Sequence, residues 1–319
     1  MGREKKKIDI TIIIPHFNTP DYLEILLNSI PCVESFQILV IDDNSTKEKE
    51  KYLSLKKNEK YQHVTFVDNM TERKGAGACR NIGIEQSKGE WLLFADADDF
   101  FARDLFGKLK KYLSSNCDVI FFPLTSIDAE TQMESYRHQE INKVMDEYLL
   151  QPSFKNELNI RYRLPVPYSK LIKSNLIREN RITFDETLVA NDVMFSTRVG
   201  FYMKTFELAT ESIYCITSNP GSLTKMMNED NYNTRLNVFI DKYTFIKENL
   251  SKKDFEVLNL NGKVFIRWNF QYNLGLRKLI WLLKVLRKND IKIMGSIREI
   301  KLVKIVKQFN KIVKQKGEV

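Results

Sequence analysis

The sequence predicts an α/β protein: a mostly parallel sheet with helices on both faces, followed by a helical region. Three observations carry that prediction. Short apolar runs recur at residues 8–14, 37–41, 64–67 and 91–94, the signature of buried strands. Segments with helical spacing alternate with these runs to about residue 100, as parallel strands joined by helical crossovers require. After about residue 225 strand signals stop and helical periodicity alone continues. The expected division is therefore a sheet domain over 1–225 and a helical region over 226–319.

Each element has its own warrant. The first run, rich in β-branched residues, ends in the loop Pro15-His16-Phe17-Asn18. Thr19 or Asp21 can cap a helix whose Leu23, Leu26, Leu27 and Ile30 share one face. The second run stops at Asp42-Asp43-Asn44-Ser45-Thr46, which can accept hydrogen bonds from a ligand or cap the next helix. A Lys- and Glu-rich helix to about Lys60 leads to the third run. Arg73-Lys74-Gly75-Ala76-Gly77-Ala78-Cys79-Arg80 then opens a helix. Its small residues and cations suit a phosphate, and equally suit a plain glycine turn.

The fourth run, Trp91-Leu92-Leu93-Phe94, passes straight into Ala95-Asp96-Ala97-Asp98-Asp99. Acids at the carboxyl end of a strand lie where open α/β sheets bind ligands. Three carboxylates within four positions repel one another, and a hard divalent cation such as Mg²⁺ or Mn²⁺ relieves the repulsion. A solvated acidic turn is the alternative. Beyond it, 105–113 predicts a helix and 118–123 a buried strand, while 125–165 has no clear pattern. Residues 168–172 begin a new ordered segment. Asp192 stands at the start of a helix, as a cap or as a functional carboxylate. A short strand over 213–217 and a turn over 218–222 precede helices expected at 231–249, 255–268 and 274–286.

Composition sets the outer limits. A chain of 319 residues can bury a large core and hold two units. Cys32, Cys79, Cys117 and Cys215 are too scattered for a metal pattern or a disulfide framework, as suits a reducing cytosol. No apolar run reaches the roughly 18–20 residues of a membrane span. The first apolar run is broken by Asp9 and Thr11, so no signal segment is expected and the location expected is cytoplasmic. Residues 277–319 hold 13 Lys/Arg against 3 Asp/Glu, a net of +10, whereas the whole chain is only +9. Basicity therefore belongs to the tail.

Together the motifs resemble the family 2 inverting glycosyltransferases of bacterial polysaccharide biosynthesis, which have the nucleotide-diphospho-sugar transferase fold called GT-A. The residues that carry the resemblance are Ile12–Asn18, Val40–Thr46, Gly77–Gly83, Phe94–Asp99 and Asn191-Asp192, in the family's order. The resemblance spans about residues 8–225. It implies a metal-dependent transfer of a sugar from a nucleotide-diphospho-sugar, most commonly a UDP-sugar, to a hydroxyl of a glycan or lipid-linked sugar. Pro15, Phe17, Asn18, Asp42 and Asp43 then wall the nucleotide, with Asp43 accepting from the base. Arg80 sits near the diphosphate, and Asp96 and Ala97 lie along the nucleotide. Asp96, Asp98 and Asp99 match the motif for Mn²⁺ or Mg²⁺ and ribose. Asp192 matches the catalytic base. Asn191 stands where the family has Glu, which removes a second carboxylate and leaves the base in place. The processive Gln-x-x-Arg-Trp motif is absent, and Arg267-Trp268 falls in the helical region.

Two rival classes have their own requirements. A nucleotidyltransferase needs a phosphate-cradling loop after its first strand, where this chain has Pro-His-Phe-Asn. A non-catalytic sugar-nucleotide binder has no need of an intact Asp96, Asp98, Asp99 and Asp192. The histidines make no site: His63 and His138 lie in polar stretches and His16 belongs to the nucleotide loop. In the tail, Leu302, Ile305, Val306, Phe309, Ile312 and Val313 form a stripe opposite Lys301, Lys304, Lys307, Lys311 and Lys314. Such a helix can lie on an anionic membrane, at the inner face of the cell membrane, or pack on the protein itself or a second subunit as a homo-oligomer. With Phe309 the lone aromatic beyond Trp281, it lacks the interleaved rings of a nucleic-acid binder.

Overall fold

The computed structural model describes residues 7–219 and 228–293. The chain divides into two compact units, Met1–Met226 and Met227–Val319. In the first, β1 (Ile10–His16), α1 (Pro20–Ser29), β2 (Phe36–Asp42), α2 (Lys49–Lys57), β3 (Val64–Asp68), α3 (Gly75–Gln86) and β4 (Trp91–Phe94) follow the predicted alternation. β1 is the axis, parallel to β2 on one side and to β4 on the other, with β3 parallel to β2. Every residue of β1 is buried. Its period-two alternation sends Ile10, Ile12 and Ile14 to one core with Leu23, Leu26 and Leu27 of α1. Ile13 goes to a second core with Cys79 and Ile82 of α3. Helices therefore cover both faces, and each buried Ile or Leu contributes about 1.5–3 kcal/mol.

The chain continues through β5 (Phe100–Phe101), α4 (Leu105–Lys110), β6 (Val119–Phe121), β7 (Leu124–Asp128), α5 (Gln139–Leu150), α6 (Phe154–Arg163), β8 (Lys170–Lys173), α7 (Ser174–Glu179), α8 (Val193–Tyr202), β9 (Phe206–Leu208) and β10 (Tyr214–Ser218). The large sheet runs β3-β2-β1-β4-β8-β6-β9. β8 is antiparallel to both of its neighbours; the other pairings of this sheet are parallel. A small sheet, β5-β10-β7, stands apart from it. Strand order reverses direction at β1 and β4, which places a crevice at their carboxyl ends.

Two stretches differ from expectation. Residues 125–165, where no pattern was visible, hold β7, α5 and α6. α5 packs Ile141, Val144, Met145 and Tyr148, at helical spacing, on the second core, and α6 begins at a Ser153 cap that accepts from the Asn156 amide. The single helix expected over 255–268 is two, Lys252–Leu258 and Lys263–Gln271, because Asn259 turns left-handed at φ 49°.

The second unit holds α9 (Glu229–Asn249), α10 (Lys252–Leu258), α11 (Lys263–Gln271) and α12 (Gly275–Lys288). They close on Tyr232, Leu236, Tyr243, Phe265, Leu282 and Leu286. The basic stripe over 300–314 lies outside the described residues. Among the described residues no helix is long and apolar enough to cross a membrane.

Candidate active site

Because β1 to β4 run parallel, the loops that leave them emerge on one edge of the sheet. The first loop is fixed from below. His16 Nδ1 donates to Asp42 Oδ1 at 2.7 Å, and the Thr19 amide donates to His16 Nε2 at 3.3 Å, which defines the Nδ1–H tautomer. Ser45 closes the network, giving its amide to Asp42 Oδ2 at 2.9 Å and its hydroxyl to Oδ1 at 2.5 Å. Burial pushes the Asp42 carboxyl up, but the bonds from His16 and Ser45 outweigh it and hold it below the usual carboxylate range. Asn18 turns left-handed, and its Oδ1 collects the amides of Thr46 and Lys47, each at 2.8 Å. Phe17 is left 54% exposed above this base.

Asp43 ties the second loop to the third and to α3. Its Oδ1 accepts from Asn69 Nδ2 at 2.9 Å and its Oδ2 from the Gly75 amide at 2.7 Å. Gly75 has φ +88°, a conformation other residues rarely take. Two residues on, a Cβ at Gly77 would fall on the Asp185 carbonyl, so glycine lets α3 press against the segment that leads to α8.

The acidic turn after β4 is held by β10. The Asp96 amide donates to Tyr214 Oη at 2.8 Å, and that hydroxyl donates to Asp99 Oδ2 at 2.9 Å. The Thr217 amide donates to Asp99 Oδ1 at 2.7 Å. Asp99 is 4% exposed, and burial together with repulsion from Asp98 and Asp96 pushes its carboxyl well above the usual range. Asp98, half-buried, accepts from Asn219 Nδ2 at 3.0 Å; it too is pushed up, first by burial and then by Asp96. The Asp96 side chain is 32% exposed.

Arg80 joins this turn to α8. It is 4% exposed and lies over the Phe184 ring. Nη2 meets Asp96 Oδ1 at 2.5 Å and Nη1 donates to Asn191 Oδ1 at 2.8 Å. Asp192, next in the chain, begins α8 without a capping hydrogen bond from its side chain. Its carboxyl is thus not spent on the helix. Ala190 sets the approach with φ +59°, a left-handed turn that costs a non-glycine residue about 1–2 kcal/mol. Burial pushes the Asp192 carboxyl up, while the Arg80 charge pulls it back.

The predicted residues therefore fall into two sets. Phe17, Asn18, Asp43, Asp96, Asp98 and Asp192 keep exposure or partial exposure at the edge. Pro15, Asp42, Arg80, Ala97 and Asp99 are buried behind it. Asp96, Asp98 and Asp99 do not close into one three-carboxylate cage: among the described residues no group of three or more His, Cys, Asp or Glu is placed to hold a metal ion. Both Asp99 oxygens accept within the protein, Oδ1 from the Thr217 amide and Oδ2 from the Tyr214 hydroxyl. Tyr214 and Asn69 hold the site together and were not foreseen. A tyrosine in a β-branched strand carries no signal of its distant partner.

Residues 11–178 match the sequence profile described as Glycosyl transferase family 2. The chain is 27% identical over 211 residues to a poly(ribitol-phosphate) beta-glucosyltransferase of Bacillus spizizenii, covering 64% of this chain and 31% of that protein. Staphylococcus aureus TarS 1–349, in complex with UDP-GlcNAc, superposes with a TM-score of 0.59 at 20% identity, covering 83% of this chain and 73% of that chain. A mannosyltransferase of Pyrobaculum calidifontis, in complex with GDP-Man and Mn²⁺, superposes with a TM-score of 0.55 at 14% identity, covering 95% and 81%. The chain spans about a third of the length of the poly(ribitol-phosphate) transferases it matches. The structural likeness bears out the GT-A fold with its helical region after the sheet.

Proposed function

The chain belongs to glycosyl transferase family 2, and on that premise we propose that it moves a sugar, with inversion, from a UDP-sugar to a hydroxyl of a glycan or lipid-linked sugar. One observation carries the reading. A single buried guanidinium, Arg80, bonds both the acidic turn at Asp96 and the residue before Asp192, so a donor-side and an acceptor-side carboxylate share one edge. Asp192 is the general base: it takes the proton of the acceptor hydroxyl as that oxygen bonds to the anomeric carbon. The bond from that carbon to the diphosphate breaks on the opposite side, and UDP leaves with the electron pair. Arg80 lends positive charge close to the departing diphosphate. Phe17, Asn18 and Asp43 flank the nucleotide, on the base that Asp42 and His16 build.

The donor set fits a hard divalent cation. Burial and mutual repulsion raise the Asp98 carboxyl, and Asn219 Oδ1 beside it is buried without a hydrogen-bond partner. Asp96 and Asp98 would hold Mn²⁺ or Mg²⁺, leaving its other positions to substrate phosphate and water; the ion supplies charge to the leaving diphosphate. The poly(ribitol-phosphate) substrate named for the Bacillus relative supports a hydroxyl-bearing polymer as acceptor.

A thermal-shift panel of UDP- and GDP-sugars with Mn²⁺, Mg²⁺ or chelator tests the reading. Stabilisation grows with the logarithm of ligand concentration over Kd, so the donor should raise Tm only with a metal present. Stabilisation by no nucleotide sugar would overturn the proposal, and pyrophosphate release in turnover would favour a nucleotidyltransferase. The tail supports a further hold on anionic membrane, each Lys contributing roughly 1 kcal/mol near such a surface. The full chain should pellet with vesicles of about one-third anionic lipid at low salt and be released at high salt, whereas a chain ending near Asp290 should not pellet. Equal pelleting of both chains would remove the membrane from the proposal.

A further inference from the structure

Lys170 lies inside β8, 2% exposed, and has no part in the chemistry above. A lysine there is costly unless its charge and its hydrogens are used. Nζ donates to Leu164 O at 2.6 Å, to Val166 O at 2.8 Å and to Ser196 Oγ at 3.0 Å. The Ser196 hydroxyl passes its own proton to Pro165 O. The Ser196 amide makes the first bond of α8, to Asp192 O at 2.9 Å. One ammonium thus binds the 164–167 turn, with its two prolines, to the helix turn that presents Asp192.

We propose that Lys170 is a positioning residue for Asp192: through Ser196 it fixes the first turn of α8 and so holds the carboxylate at the edge. The inference rests on the reading of Asp192 as base. The charged and titratable groups around Asp192 are Arg80 from α3, Asp96 from the acidic turn, Lys170 from β8 and Tyr168 just before that strand. Arg80, and to a lesser degree Lys170, oppose the burial that raises the Asp192 carboxyl. Pro165 and Pro167 lack amide hydrogens, so this turn has few donors of its own, and an ammonium can gather several of its carbonyls at once.

The test reads Asp192 directly and needs no turnover, so it stands apart from any failure of the base assignment. In protein labelled with ¹³C at aspartate carboxyls, the Asp192 resonance is the one lost in Asp192→Asn, and its pH titration is followed. Lys170→Met, and Lys170→Gln, which keeps an amide donor for the turn, should each raise the Asp192 midpoint. Ser196→Ala, which keeps the ammonium and cuts the link, should leave the midpoint unmoved but speed amide exchange at the start of α8. An unmoved midpoint in a folded charge-removing variant overturns the proposal. So does failure of both Lys170 variants to fold, which would assign the lysine to the fold alone. If the titration behaves as expected while Asp192→Asn turns over normally, the base reading fails and the positioning of this carboxylate stands.

Discussion

Asp192→Asn is expected to bind the nucleotide-sugar donor within about twofold of the wild type and to transfer it about 10²–10⁴-fold more slowly, the usual cost of losing a general base. The change is nearly isosteric. The carboxyl makes no capping bond to α8, so the helix does not depend on it. Stability should move the other way. Asp192 is raised in the folded chain above its ordinary 3.8, chiefly by burial. The unfolded chain therefore releases this proton more readily than the folded one, and stability is lost as pH rises from the ordinary value through the raised one. Removing the carboxyl removes that loss, so the variant should melt no lower, and at neutral pH higher, than the wild type. The same shift moves the acid limb of the wild-type rate upward from the ordinary aspartate value. Donor titration, steady-state UDP release and melting at two pH values check the set together. Turnover near wild type in Asp192→Asn would take this residue out of the mechanism.

The sheet was legible where its strands are buried on both faces and read as unbroken apolar runs, with β1 and β4 the clearest. β7, α5 and α6 were not. β7 is short and largely polar and α6 is rich in charge, whereas α5 does carry an apolar face, Ile141, Val144, Met145 and Tyr148, set among charged neighbours on either side. The break between α10 and α11 turns on one left-handed asparagine, and asparagine is common enough in helices that its presence alone decides nothing.

The acids of the site were legible as types and places, but not in their orientation. Asp98 and Asp99 are adjacent in one turn, and nothing local says which carboxyl faces the edge. That is decided by Tyr214 and Thr217, more than a hundred residues on, which draw Asp99 inward. Asp42 and Asp43 divide in the same way: one builds the loop with His16 and Ser45, the other ties it to α3 through Gly75. Lys170 did leave a trace, a cation at the start of the short strand Lys170-Leu171-Ile172-Lys173. Its partners at 164, 166 and 196 are long-range, so its use could not be read from neighbours.

Asp98→Ala should fold normally and lose the metal-dependent part of donor binding. Asp98 accepts a single side-chain bond, from Asn219, and lies in the half-buried part of the turn. Its loss therefore leaves little unsatisfied, and it removes a carboxylate that burial and Asp96 hold in a poor state until positive charge arrives. Even partners in the outer shell of metal sites are worth about 10–100-fold in metal affinity. A direct ligand should cost at least that much, so Mn²⁺ should cease to strengthen nucleotide-sugar binding in this variant. Metal-dependent binding in the wild type should weaken as pH falls toward the raised Asp98 value, since the metal needs the carboxylate free of its proton. Asp99→Ala should fail differently. It leaves the Tyr214 hydroxyl hydrogen and the Thr217 amide without an acceptor, each at a cost of about 1–3 kcal/mol, and it removes two of the bonds that tie the acidic turn to β10. Its first symptom should be a lower Tm without any ligand. Calorimetry with and without Mn²⁺, beside melting curves of both variants, separates the roles. Undiminished Mn²⁺-dependent affinity in Asp98→Ala, or an unchanged melting point in Asp99→Ala, would show that this division of the acidic turn is wrong.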